Sequence, residues 1–92
     1  MIINFKDKNS RKIYEGQPAP KFSFIRRQLE RRLQILDSAT TLDDLKKLPS
    51  NRFEYLHGDR KGQCSIRVND QWRLCFKWID NEAHDVELVD YH

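Results

Sequence analysis

Two hydrophobic periods divide the chain. Ile25, Leu29, Leu33 and Leu36 recur at steps of four, four and three, the spacing of one stripe on an α-helix. From Asn51 onward the step becomes two. "RFEYL" alternates weakly, "QCSIRVN" and "WRLCFKW" alternate well, and "HDVELVDYH" ends the chain in the same rhythm, which predicts strands joined by short turns. The first half is therefore read as helical and the second as an antiparallel meander. Together they predict an α+β fold with the helices on one face of the sheet.

Local signals refine the elements. "IINF" reads as a short first strand, followed by a helix from about Asp7 to Tyr14 that Gly16 stops. Pro18 and Pro20 make a break. Ser23 is then the expected cap of the long helix, which buries its aliphatic stripe and presents Arg27, Arg31 and Gln34 on other faces. Thr41-x-x-Asp44 has the form of a capping box, with Pro49 closing that short helix.

The register of the middle hairpin follows from burial. A two-residue turn at Asn69-Asp70 would set Ile66 against Arg73 and mix apolar with charged residues on both faces. A three-residue turn over Asn69-Asp70-Gln71 sets Val68 against Trp72 and Ile66 against Leu74, and Arg67 then faces Arg73. Trp72 and Trp78 share their period with Leu74 and Phe76 and are expected in the core. Cys64 faces the core side and Cys75 the other, so the two do not meet in a disulfide. Opposed arginines repel. Either they splay into water, or an anion such as phosphate sits between them.

Ninety-two residues, 38% hydrophobic and 34% charged with ten aromatics, describe one soluble domain spanning residues 1–92. No apolar run is long enough to cross a bilayer. The opening "MIINFKDKNSRK" lacks the apolar centre of a secretory signal. A cytoplasmic protein with reduced thiols is expected, since two cysteines make neither a disulfide framework nor a metal spacing. The net charge is only +3, but it is unevenly placed: Lys21, Arg26, Arg27, Arg31 and Arg32 crowd twelve residues with one acid, whereas the stretch from Asp80 has five acids and no Lys or Arg. Such polarity suits a polyanion such as RNA, against the plainer reading of a solvated basic face.

The terminal "LVDYH" adds chemistry. If the last strand runs antiparallel beside the strand 72–78 with an even pairing sum, Val86 and Leu88 join the core. Val89 and Tyr91 then share the face of Arg73, and His92 can bend toward it. These are the groups needed to cleave RNA without a metal. His92 is the expected general acid, favoured in its protonated form by the terminal carboxylate. Arg73 and Arg67 would hold the phosphorane. Tyr91 would orient the substrate or stack on a base, and Asp90 would steady the strand end or His92. The plain alternative is a solvated tail. His57 and His84 are by default surface histidines, although His57 opens "HGDRKG", whose Arg60 and Lys61 lead into the basic hairpin. With Arg67 and Lys77 these three complete the expected RNA contacts, while Asp59-Arg60 reads as a turn-stabilising pair. No zinc-spaced cluster or glycine-rich phosphate loop is present, so neither metal nor nucleotide cofactor is implied.

"NRFEYLHGDRKGQCSIRVNDQWRLCFKW" with the terminal "VELVDYH" resembles the HigB family of bacterial toxins, the plasmid maintenance system killer proteins of the RelE superfamily. The likeness is closest over residues 51–92, and the helical half agrees in length and layout. The resemblance implies a RelE-like microbial ribonuclease fold, with N-terminal helices packed on a twisted antiparallel sheet. It implies a toxin that enters the A site of the 70S ribosome and cuts translated mRNA, held in check by a helix-turn-helix antitoxin of HigA type. It also implies an active surface of Arg73, Asp90, Tyr91 and His92. Some relatives carry a further histidine or lysine just before the "GDR" turn, where His57 can substitute. The rival readings are a non-catalytic module that blocks translation by binding RNA or the ribosome, a ribosome-independent nuclease, and a purely structural antitoxin-binding protein.

Overall fold

The protein is described here by a computed structural model covering residues 1–91. Helix α1 (Lys8–Tyr14) begins where Asp7, in extended conformation, accepts the Ser10 N–H, as an N-cap should. It ends as predicted at Gly16 (φ +76°): the Gly16 N–H donates to the Ile13 carbonyl and that of Gln17 to the Lys12 carbonyl. That paired closure needs the left-handed conformation glycine adopts without strain.

Helix α2 (Arg26–Ser38) follows a 3₁₀ turn, Pro20–Ile25. The Ser23 cap is not formed. Pro20 starts the turn, which runs straight into α2, and Ser23 serves through its carbonyl, which accepts the Arg26 N–H. The stripe Ile25, Leu29, Leu33 and Leu36 is buried as predicted, and Arg27, Arg31 and Gln34 are exposed. Helix α3 (Leu42–Lys46) has the expected capping box between Thr41 and Asp44. The Thr40 N–H, Thr40 hydroxyl and Thr41 N–H all donate to Asp44 Oδ2, and these bonds, the Thr40 N–H first, hold the carboxyl below its ordinary pKa. Pro49 opens another 3₁₀ turn, Pro49–Asn51.

The antiparallel sheet has the order β1 (Glu54–Tyr55), β2 (Cys64–Arg67), β3 (Trp72–Ile79), β4 (Glu82–Asp90). The hairpin register is the one burial demands, with Ile66 opposite Leu74 and Arg67 opposite Arg73. Asn69 Oδ1 shapes its turn by accepting the N–H groups of Gln71 and Trp72 at 2.8 Å. Between β3 and β4 the even sum holds at one end, through Trp72–Asp90, Arg73–Val89, Leu74–Leu88 and Cys75–Glu87. A bulge then shifts the register, so that Lys77 faces His84. Asp85 takes up the slack at φ +52°, exchanging hydrogen bonds with Asn4. Parity from the sequence cannot foresee an inserted residue. "IINF" likewise makes no full strand: Ile2 and Phe5 form isolated parallel bridges with Ala83 and Val86. Asp7 Oδ1 accepts the Leu88 N–H at 3.0 Å, joining the start of α1 to β4.

One face of the sheet packs on the helices. Ile66, Leu74, Phe76 and Val86 meet Ile13, Leu29, Leu33, Leu36 and Leu45, with Trp72 and Trp78 half-buried at the margin. Cys64 belongs to this core, Cys75 lies on the far face, and both are free thiols. Among the described residues no helix is long and apolar enough to cross a membrane.

Candidate active site on the far face of the sheet

Arg73 is placed on the far face by alternation along β3, yet it is only 7% exposed. Its Nε donates to Ser65 Oγ at 2.8 Å, and Nη2 donates to the Arg52 carbonyl. Among the described residues its guanidinium has no carboxylate partner. A buried cation satisfied only by neutral acceptors keeps most of its charge available to an incoming anion.

Its setting is built from the helical side. Arg32 of α2, also buried, donates through Nη1 to Asn51 Oδ1 at 2.7 Å and to Ser50 Oγ at 3.2 Å. Asn51, fully buried, donates in turn to the Leu45 carbonyl. This network fixes the Pro49–Asn51 turn. Arg52 follows in the left-handed region, φ +42°, and that turn of the chain aims its carbonyl at Arg73. Burial lowers the Arg32 pKa, with the nearby charges of Arg31 and then Arg67 adding to the effect.

A cavity of about 360 Å³ opens over these groups, lined by Arg52, Arg67, Asn69, Asp70, Arg73 and Tyr91. Arg67 is not free to clamp symmetrically with Arg73, because it is paired with Asp70. That carboxylate answers how the opposed arginines are tolerated. Tyr91, 41% exposed, stands with its ring centroid 5.7 Å from Arg73 Cζ. Gln71 anchors this end of the chain: its carbonyl accepts the Tyr91 N–H and its Nε2 donates to Asp90 Oδ2 at 3.2 Å. The cavity thus offers three guanidiniums, one phenol and one carboxylate, enough to seat a phosphodiester against fixed positive charge.

The other sequence candidates divide. Arg60 does not pair with Asp59; it reaches over the far face to Glu87 Oε1 at 3.0 Å and Gln63 Oε1 at 3.1 Å, and the Glu87 bond raises its pKa. That bridge lies over Cys75, which faces Glu87 in the ladder and has its thiol pKa raised by burial. Lys77 lies four residues from Arg73, roughly 13 Å along the strand, and pairs with Asp85 at the bulge, so it is not a cavity residue. His57 and Lys61 are exposed at the two ends of the Gly58–Arg60 turn and do not line the cavity. His92 lies outside the described residues. Sequence reasoning missed Ser65, the Arg52 carbonyl that accepts from Arg73, and the Arg32–Asn51 network. Ser65 was findable, since it shares the parity of Arg67 and Arg73 and neighbours the latter diagonally.

Comparison with known proteins gives a consistent picture. A family model described as the RelE-like toxin HigB of a type II toxin–antitoxin system matches residues 3–92. The chain is 47% identical over 90 residues to Toxin HigB-1 of Vibrio cholerae, covering 96% of this chain and 95% of that protein. It is 33% identical over 97 residues to Endoribonuclease HigB of Proteus vulgaris, with all of both chains covered. Among solved structures it resembles a chain of the YoeB–YefM toxin–antitoxin complex of Staphylococcus aureus, with a TM-score of 0.58 at 17% identity, covering 100% of this chain and 98% of that one. That last likeness concerns the fold.

Proposed function

The chain belongs to the HigB family of RelE-like toxins of type II toxin–antitoxin systems, and on that premise we propose that it is an endoribonuclease cutting translated mRNA in the ribosomal A site. The observation that carries the reading is Arg73: a buried guanidinium with no carboxylate partner among the described residues, opening into a cavity with Arg52, Arg67 and Tyr91.

In the proposed reaction a phosphodiester lies over Arg67 and Arg73. The 2′-oxygen attacks phosphorus, the O2′–P bond forms and the P–O5′ bond breaks, leaving a 2′,3′-cyclic phosphate and a 5′-hydroxyl. The net proton movement is from O2′ to O5′. Charge on the phosphorane is met by guanidiniums already in place, which therefore need no reorganisation as the reaction proceeds. Tyr91 orients the substrate from the cavity wall, Asp90 holds the strand end, and His92 is assigned the proton given to O5′. So sparse a site suits a substrate whose geometry the ribosome has already fixed. The partner of the free toxin is its antitoxin, proposed to be a helix-turn-helix protein of HigA type.

The test is primer extension on cellular mRNA after induced expression, comparing the native chain with Arg67→Ala and His92→Gln. New 5′ ends in register with codons are expected for the native chain and not for the variants. Growth arrest without new ends would establish inhibition by occupancy instead.

A further inference from the structure

Beside the cavity of Arg73 lies a second recess, of about 410 Å³, lined by Lys46, Leu48, Pro49, Arg52, Phe53 and Tyr55. The two adjoin at Arg52, which lines both. We propose that this recess is a subsite for a nucleotide flanking the cleaved bond, with the ring of Tyr55 as its stacking platform and Lys46 and Arg52 as its phosphate contacts. The proposal rests on the endoribonuclease reading and names where the strand goes once it leaves the Arg67–Arg73 cavity.

The recess is built for a flat, anion-bearing group. Tyr55 comes from the two-residue edge strand β1 and is 53% exposed. Phe53 props it at 89° with ring centroids 5.1 Å apart, which fixes the orientation of the tyrosine ring. The Lys46 ammonium stands 4.8 Å from the Tyr55 centroid and 5.6 Å from that of Phe53. Its partnership with the Tyr55 side chain raises its pKa, so the cation is secure. Leu48 and Pro49 give an apolar floor. Tyr55 pairs with Cys64 in the ladder and so lies on the helix side of the edge strand, and among the described residues the lining contains no carboxylate.

Aromatic faces flanked by Lys and Arg are how proteins hold single-stranded RNA with little dependence on base identity. A strand seated on Arg67 and Arg73 would round the β1 edge of the sheet at Arg52 to set a flanking base on Tyr55. The volume lies within the usual span for a small ligand group, about 300–1,000 Å³. An acidic peptide would also meet the cations, but it would not need the exposed face of Tyr55.

The experiment uses short 2′-O-methyl oligoribonucleotides, which bind without being cut, and the full chain as native protein, Tyr55→Ala, Tyr55→Trp and Lys46→Gln. Tyr55→Ala should weaken binding by roughly five- to 150-fold, the worth of one base–aromatic stack. Tyr55→Trp should retain binding, and the ring resonances of Tyr55 should shift on titration of the native chain. In ribosomal cleavage Tyr55→Ala should raise KM far more than it lowers kcat. Equal oligonucleotide affinity for native and Tyr55→Ala proteins overturns the subsite, as does weaker binding to the antitoxin alone; the nuclease reading survives either result. If no RNA is cut under any condition while the Tyr55 effect on binding persists, the nuclease reading fails and the RNA subsite stands.

Discussion

Arg73 hangs on Ser65: the guanidinium Nε donates to the serine Oγ at 2.8 Å from the adjacent strand. Both residues are buried on the sheet face turned away from the helices. Removing the hydroxyl leaves a buried donor without its acceptor, which costs about 1–3 kcal/mol. Ser65→Ala is therefore expected to lower stability by that order. At a temperature where both proteins are folded, it should also slow the single-turnover cleavage rate about ten-fold, as expected for a small displacement of a positioned group. Denaturant titration and rapid-quench kinetics on programmed ribosomes read the two effects separately.

Asp70 neutralises Arg67 at the mouth of the cavity. Asp70→Asn frees that guanidinium for a phosphate. Fluorescence anisotropy with a non-cleavable oligonucleotide should show tighter binding, and the log–log salt dependence should steepen by about 0.7 for the one added contact. Because Asp70 is exposed on a turn, thermal stability should change little.

Burial raises the pKa of both Cys64 and Cys75. In the folded chain each thiol keeps its proton at pH values where an unfolded cysteine has lost it, so stability is complete below the ordinary thiol pKa and falls as pH rises beyond it. Both should resist iodoacetamide in the native protein and react once it is unfolded. Mass spectrometry after timed alkylation, with and without denaturant, checks this.

Asp44 has the opposite sign. Three hydrogen bonds from Thr40 and Thr41 depress its carboxyl pKa. Its contribution is present above the ordinary carboxylate range and is lost as pH falls through the lower, folded value. Asp44→Asn should flatten the acid limb of a stability–pH curve measured by urea titration. Thr41→Ala, which removes the other half of the box, should cost about 1 kcal/mol at neutral pH.

Alternation and burial were enough to read the β2–β3 register from the sequence, because a slip would have set Ile66 against Arg73 and mixed charge into both faces. The same logic put Val89 on the face of Arg73, and the ladder pairs the two directly. It failed beyond Cys75, where Asp85 adds a residue that periodicity does not record. The burial of Arg73 was also hidden. Charge suggests exposure, and only the fold shows Ser65 and the Arg52 carbonyl waiting for it. Lys77 was misplaced for a related reason: it shares a face with Arg73, but position along the strand and its pairing with Asp85 take it out of reach. Arg32 looked like one more surface cation of α2, and its role in holding Asn51 depends on contacts nineteen residues apart.

The junction of Asp7 with Leu88 couples the opening of the chain to the strand that delivers Tyr91. During synthesis the early helices emerge first, but the cavity lacks a wall until β4 has left the tunnel and docked along β3. The cavity is therefore closed by contacts between the two extremes of the described chain, and its wall forms only when β4 docks, however early the helices fold.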